Sequence, residues 1–111
     1  DNYLLAVDKT RVVSGTMKVQ LSKDKLLKIG KIKKNIADGN FIGISKISKE
    51  SLKIFKSQLE SLSKASKNNY YTEVFNSLVK QNIKINVINI GNKWVEVDNR
   101  RDYANAKKLV N

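Results

Sequence analysis

Glu96 and Asp98 are the residues whose types and spacing point most directly to chemistry. They end the run Trp94-Val-Glu-Val-Asp98, in which Trp94, Val95 and Val97 favour an extended backbone. Alternation along a strand puts Trp94, Glu96 and Asp98 on one face. Asn99 is a suitable N-cap for the helix expected next. Asp102, three residues on, comes close to completing a capping box, although Asp is shorter than the usual Glu or Gln. Tyr103, Ala106 and Val110 repeat at helical spacing beside Leu109. With Asn99 free to cap, Asp98 stands at the carboxyl end of a strand, where open α/β sheets place their ligand-binding groups. A purely structural account also exists: Glu96 pairs with a lysine and Asp98 supports the helix start.

The elements that must position this tail can be read upstream. Tyr3 to Val7 is a short apolar run with the character of a buried strand. Met17 to Leu21 and Leu26 to Ile29 flank the polar turn Ser22-Lys23-Asp24-Lys25 and read as a hairpin. Gly30 to Gly39 is expected to be irregular, and Phe41 to Ser45 returns to strand, with Gly43 marking a bulge or a close backbone approach. Ser48 caps a long helix carrying Leu52, Phe55, Leu59 and Leu62 at helical spacing. After a polar linker over Lys64 to Asn69, Thr72 to Gln81 forms a second helix with Val74, Phe75, Leu78 and Val79 apolar. Phe55, Phe75 and Tyr103 are assigned to packing. Ile83 to Ile90 alternates first and then becomes apolar at both parities, which predicts a strand buried on one face early and on both late. Gly91-Asn92 turns the chain into the tail. The order β, β-hairpin, β, α, α, β, β, α predicts an α/β or α+β layer rather than a bundle or sandwich.

Composition narrows the chemistry. The chain has 111 residues, enough for one domain, and 41% of them are hydrophobic, so it can bury a modest core. It contains no cysteine and no histidine, which removes disulfides, thiolate chemistry, the usual zinc sites and a histidine base. No apolar run approaches the roughly 20 residues of a membrane span, and no signal-peptide pattern opens the chain, so a cytoplasmic location is expected. The first residue is Asp1, and the chain is expected to be a piece of something longer. The net charge of +12 invites a nucleic-acid reading. The lysines, however, are spread over nearly every segment, with only Lys31, Lys33 and Lys34 tightly clustered. Nucleic acid is therefore not the expected partner.

The tail Trp94-Val-Glu-Val-Asp98 with Asn99-Arg-Arg-Asp102-Tyr103-Ala-Asn-Ala106 resembles the C-terminal signature of nucleotidyltransferases that couple a nucleoside triphosphate to a phosphorylated small molecule. The likeness extends upstream in the right order. Leu4-Leu-Ala-Val-Asp-Lys9 is similar to that family's central strand. Lys28-Ile-Gly-Lys31 followed by Gly39-Asn-Phe-Ile-Gly-Ile-Ser45 is similar to its next conserved segment, and Tyr70-Tyr-Thr-Glu73 to a substrate-side helix start. The nearest branch is that of the cytidylyltransferases acting on phosphocholine, aminoethylphosphonate or inositol phosphate. The resemblance implies the C-terminal part of a Rossmann-like α/β domain, a mixed sheet with flanking helices and a β-hairpin. Residues 1–111 would be the acceptor-binding, second-metal-ligand portion. The family's N-terminal half, with its Gly-rich nucleotide loop and first metal-binding Asp, is not in this sequence, so the isolated chain is expected to be inactive.

By this resemblance Asp98 and Glu96 would hold Mg²⁺, whose preference for carboxylate, water and phosphate oxygens suits them. Asp98 and Lys31 would be the catalytic groups, with Lys31 near the substrate phosphate. Glu73 would line the acceptor pocket. Tyr71 and Trp94 would face a quaternary ammonium if the acceptor is phosphocholine. The partners would be a nucleoside triphosphate, CTP in this branch, and a phosphorylated small molecule. Three alternatives stay open: a solvated loop for Lys31, an ordinary acidic first turn for Glu73, and core packing for the aromatics. At the level of the whole chain, the competing functions are a non-catalytic basic α/β module that binds nucleic acid or an acidic partner, and a copy that keeps the fold without activity.

Overall fold

The computed structural model describes residues 2–65, 71–92, 94 and 100–110. The elements are β1 (Tyr3–Asp8), β2 (Lys18–Ser22), β3 (Lys25–Gly30), a 3₁₀ turn (Lys34–Ile36), β4 (Gly39–Ile47), α1 (Lys49–Ala65), α2 (Thr72–Lys80), β5 (Asn86–Asn89) and α3 (Arg100–Val110). The hairpin is β2–β3, antiparallel and closed by Lys23 in the left-handed region. Its register slips by one residue between Gln20 and Leu21. That slip gives β3 one residue too many for strict alternation, so Leu26 and Ile29 turn inward while Leu27 is left exposed.

β1 runs antiparallel to β4 and parallel to β5, and β2 joins β4 through Lys18 and Val19. A single pairing, Lys25 with Asn86, brings β5 against β3 and closes the five described strands into a barrel in the order β1-β4-β2-β3-β5. The mixed sheet with helices and a hairpin is therefore as expected. Closure is an addition to the sequence reading, because it depends on one long-range contact that no local pattern announces. Gly43 carries a positive φ of 89° where β4 loses register with β1 between Leu5 and Val7, which is the bulge its position implied.

Leu5, Val7, Val19, Ile29, Phe41, Phe55, Val74, Phe75, Leu78, Ile85 and Val87 form the core. α2 packs on β3 and buries Val74, Phe75 and Leu78, and α1 packs against α2 with Phe55 tilted on Phe75 at 5.3 Å. Ser48 caps α1 as expected, its Oγ accepting from the Ser51 amide at 3.2 Å. Asn76 of α2 serves β3 at Ile29, beyond its single pairing with β5: its side-chain amide takes the Ile29 N–H at 2.8 Å and gives to the Ile29 carbonyl at 2.7 Å.

Three packing expectations are corrected. Tyr103 is more than half exposed, with Lys107 Nζ 5.0 Å from its ring centre, rather than packed. Leu52 is exposed because the stripe that α1 buries is centred on Ser51 and Phe55. Strand β5 starts at Asn86 rather than Ile83; its Val87 faces the core, while Ile88 within it and Ile90 just beyond it are exposed. Of the expected last strand Trp94–Asp98, Trp94 is described and lies outside any strand, and Val95 to Asp98 with the cap Asn99 lie outside the described residues.

Candidate functional site

The carboxyl end of β1 meets the amino ends of β4 and β2 and the carboxyl end of β3. Asp8 pairs with Asn40, Asn40 with Lys18, and Lys18 with Gly30, forming a row of neighbours across four strands. Cross-strand partners share a face, so the row presents Asp8, Asn40 and Lys18 on one side of the sheet. Glycine is required beside it: a Cβ on Gly39 would lie 2.6 Å from the Asp8 carbonyl oxygen.

Asp8 is fully buried and its carboxylate is heavily engaged. The Thr10 amide donates to Oδ1 at 2.8 Å and the Thr10 hydroxyl at 2.5 Å. The indole N–H of Trp94 donates to Oδ2 at 2.7 Å, and Arg11 Nε lies 3.5 Å from the same oxygen. Burial alone would raise the pKa of Asp8. The bonds from the Thr10 hydroxyl, Trp94, the Thr10 amide and Arg11 outweigh it and hold the carboxyl below its ordinary value.

Asn40 is also fully buried and uses all of its side-chain amide. Its Oδ1 accepts from the Val13 amide and the Thr16 hydroxyl, each at 2.9 Å. Its Nδ2 donates to the Arg11 carbonyl at 2.6 Å and lies 3.5 Å from that of Asp8. The loop between β1 and β2 is thus folded around one asparagine.

Lys18 closes the row and is 6% exposed. Buried ammonium groups are ordinarily paired. Among the described residues, the hydrogen-bond partner of Lys18 Nζ is the Thr16 carbonyl at 2.9 Å. Lys18 lines a cavity of about 340 Å³ together with Gly15, Lys31, Ile32 and Lys33. Three lysines, one buried and two exposed, thus border one concave space, a concentration of positive charge that favours anions.

The sequence-derived residues divide accordingly. Lys31 stands at the cationic cavity. Trp94 is half-buried at the end of β1, its N–H on Asp8 and its ring under the Arg11 guanidinium at 5.4 Å. Tyr71 meets Phe41 and Phe75 edge-on at 6.4 Å each, and partial burial pushes its phenol pKa up. Glu73 lies in a different groove with Lys28, Asn76 and Lys80, where its carboxylate accepts from Asn76 at 3.3 Å. Glu96 and Asp98 lie outside the described residues. No cluster of three or more acidic side chains that would hold a metal occurs among the described residues.

Asp8, Asn40 and Lys18 were not singled out from sequence. Asp8 had a usable signal, since it ends the apolar run Leu4–Val7 just as Asp98 ends its own run. Lys18 had none, because a lysine in an alternating strand ordinarily points to solvent.

No family model matches the chain, and no curated protein matches it. Among solved structures, the chain is similar to the inositol-1-phosphate CTP transferase from T. maritima, with a TM-score of 0.71 and 22% identity. The match covers 97% of this chain and 45% of that one. The chain thus shares the fold of slightly less than half of a cytidylyltransferase, in agreement with the C-terminal half that the sequence resembles.

Proposed function

We propose that this chain is the C-terminal, acceptor-side portion of a Rossmann-like nucleotidyltransferase domain that transfers a cytidylyl group from CTP to a phosphorylated small molecule. The observation that carries the reading is the cationic cavity at the end of the β1-β4-β2-β3 row, on a fold shared with part of a CTP transferase. In the reaction an oxygen of the acceptor phosphate attacks the α-phosphorus of the nucleotide. The bond from that phosphorus to the bridging oxygen breaks, and pyrophosphate leaves.

Both reactants are anions, so the protein's first task is to offset their repulsion. Lys31 and Lys33 meet the acceptor phosphate at the mouth of the cavity, and Lys18 receives it from the buried side. The Thr16 carbonyl fixes the direction of the Lys18 ammonium before the anion arrives. Glu96 and Asp98 would hold Mg²⁺. The oxygen donors fit that ion, which when bound neutralises charge on the nucleotide phosphates. Glu73, in the separate groove beside Lys28, is proposed to contact the far end of the acceptor, and Tyr71 and Trp94 to border it. In this reading the nucleotide loop belongs to the other half of the domain, and residues 1–111 alone bind the acceptor without turning it over.

The test is pyrophosphate release from CTP with phosphocholine, inositol phosphate or aminoethylphosphonate, in a polypeptide carrying both halves of the domain. Asp98→Ala should lower the rate at least about a hundredfold, as the loss of several kcal/mol of transition-state stabilisation requires. A rate within a few-fold of the unsubstituted enzyme contradicts the role of Asp98. DNA binding that falls steeply with salt, with no response to CTP or acceptor, would instead indicate a basic binding module.

A further inference from the structure

The two faces of β1 meet different surroundings. Leu5 and Val7 enter the core with Phe55 of α1 and Phe75 of α2, while by alternation Leu4 and Ala6 belong to the other face. Register extends this outer face to both neighbouring strands: Leu4 lies opposite Lys46 of β4, and Ala6 opposite Ile88 of β5. Leu4, Ala6, Ile44, Ser45, Lys46 and Ile88 line one shallow hollow of about 130 Å³. Ile44 is 64% exposed there and Ile88 50%. Ile90, whose amide donates to the Val7 carbonyl at 2.9 Å, is 44% exposed. Single apolar side chains on a surface are ordinary, but these adjoin one another across three strands.

The edge of β4 is open beside this face. β2 pairs with β4 at Gly39 and Asn40, and the Phe41 amide donates to the Met17 carbonyl at 2.8 Å. Beyond Phe41 the strand partner of β4 among the described residues is β1. There Leu5 pairs with Ser45 and Val7 with Phe41, so Ile42, Gly43 and Ile44 stand against Ala6 alone. Bulges commonly guard an edge by turning it away or by presenting charge. This one presents an isoleucine to water.

We infer that the outer face of β4-β1-β5, with the open edge of β4 beside it, is the seat of the nucleotide-binding half of the domain. The inference rests on the proposed reading of residues 1–111 as the acceptor-side portion of a nucleotidyltransferase. The solved transferase sharing this fold is matched over 45% of its length, so more than half of that chain has no counterpart here. Charge agrees with the assignment. In a chain of net charge +12, the hollow holds one lysine, Lys46, among apolar groups, and depletion of charge marks the centre of an interface. Ile36 of the 3₁₀ turn and Ile54 of α1 are comparably exposed, at 53 and 50%, but stand on other elements and do not line the hollow.

Those two isoleucines are the controls for the test. Isoleucine δ1-methyls are ¹³C-labelled in the 111-residue chain and in a polypeptide carrying both halves of the domain. A soluble gadolinium chelate, which broadens methyl signals according to their exposure, is then titrated in. In the chain alone, Ile44, Ile88 and Ile90 should broaden like Ile36 and Ile54. With both halves present their broadening should fall at least about fivefold, as burial at an interface centre requires, while Ile36 and Ile54 stay as they were. Equal broadening in both proteins, in a two-half polypeptide that still releases pyrophosphate from CTP and acceptor, overturns the inference and leaves the proposed function standing. Protected methyls without pyrophosphate release keep the seat and contradict the proposed reaction instead. Protection in the chain alone also overturns the inference: if it grows with concentration the face belongs to a second copy, and if it does not, to α3 of the same chain. A second measurement uses Ile88→Lys. It should lower the thermal midpoint of the two-half polypeptide by several degrees and leave that of the 111-residue chain in place; equal effects on both overturn the inference.

Discussion

The apolar interior and the polar row at its end are built from the same strands but tolerate change differently. Val7 and Asp8 are consecutive in β1 and both fully buried, as are Asn40 and, nearly so, Phe41 in β4. On the interior side, Leu5, Val19, Ile29, Phe75 and Leu78 touch through dispersion and burial, which are non-directional. A similar volume in a similar place serves almost as well. On the polar side, each buried group has a named partner at a named distance, and a substitute of the same size without the same donors leaves several groups stranded. The interior supplies stability, and the row supplies a single arrangement of polar side chains.

The largest effect expected from breaking this contrast lies in the interior. Phe75→Ala, at a fully buried ring, should cost about 3–5 kcal/mol by urea denaturation, a large part of a small domain's total. Size-conserving changes separate the regions more sharply. Leu78→Met should cost less than about 1.5 kcal/mol. Asn40→Leu, which keeps the number and branching of the heavy atoms but replaces the amide with methyl groups, should cost about 3 kcal/mol. It strands the Val13 amide and the Arg11 carbonyl, leaves the Thr16 hydroxyl only the Val13 carbonyl, and amide exchange should quicken through the β1–β2 loop.

Next in size is a dependence on acid. Asp8's carboxyl is held below its ordinary value in the fold, so its contribution is complete above the unfolded value of about 3.9. That contribution is lost as pH falls through the lower folded value. The denaturation midpoint should therefore drop below about pH 4 more steeply in the unsubstituted chain than in Asp8→Asn. Parallel curves would remove Asp8 from the account. The smallest stability effect belongs to Lys31→Ala, an exposed position that should stay within about 0.5 kcal/mol while losing most of the affinity for phosphate.

What could be read in the sequence follows the same division. The hairpin around Lys23, the Ser48 cap and the buried face of α2 were legible because each is set by residues within a few positions. The exposure of Leu27, Ile88 and Tyr103 was not, because an apolar side chain does not record which face its neighbours cover. Lys31 was legible only through family resemblance. Asn40 and Lys18 become meaningful once β1, β2 and β4 are laid side by side, from contacts up to 32 residues apart that no local spacing encodes. Trp94 was singled out from sequence as a residue to face an acceptor, whereas its engagement by Asp8 and Arg11 is a tertiary fact.

The central claim is that the cavity beside Lys18 and Lys31 receives the phosphate of an acceptor. It is tested most directly by titrating the ¹⁵N-labelled chain with phosphocholine at physiological salt. The account predicts saturable amide shifts confined to the segments Gly15–Lys18 and Gly30–Lys33, weakened about tenfold by Lys31→Ala. Small, unsaturable shifts spread over the surface lysines, unchanged by that substitution, would contradict it.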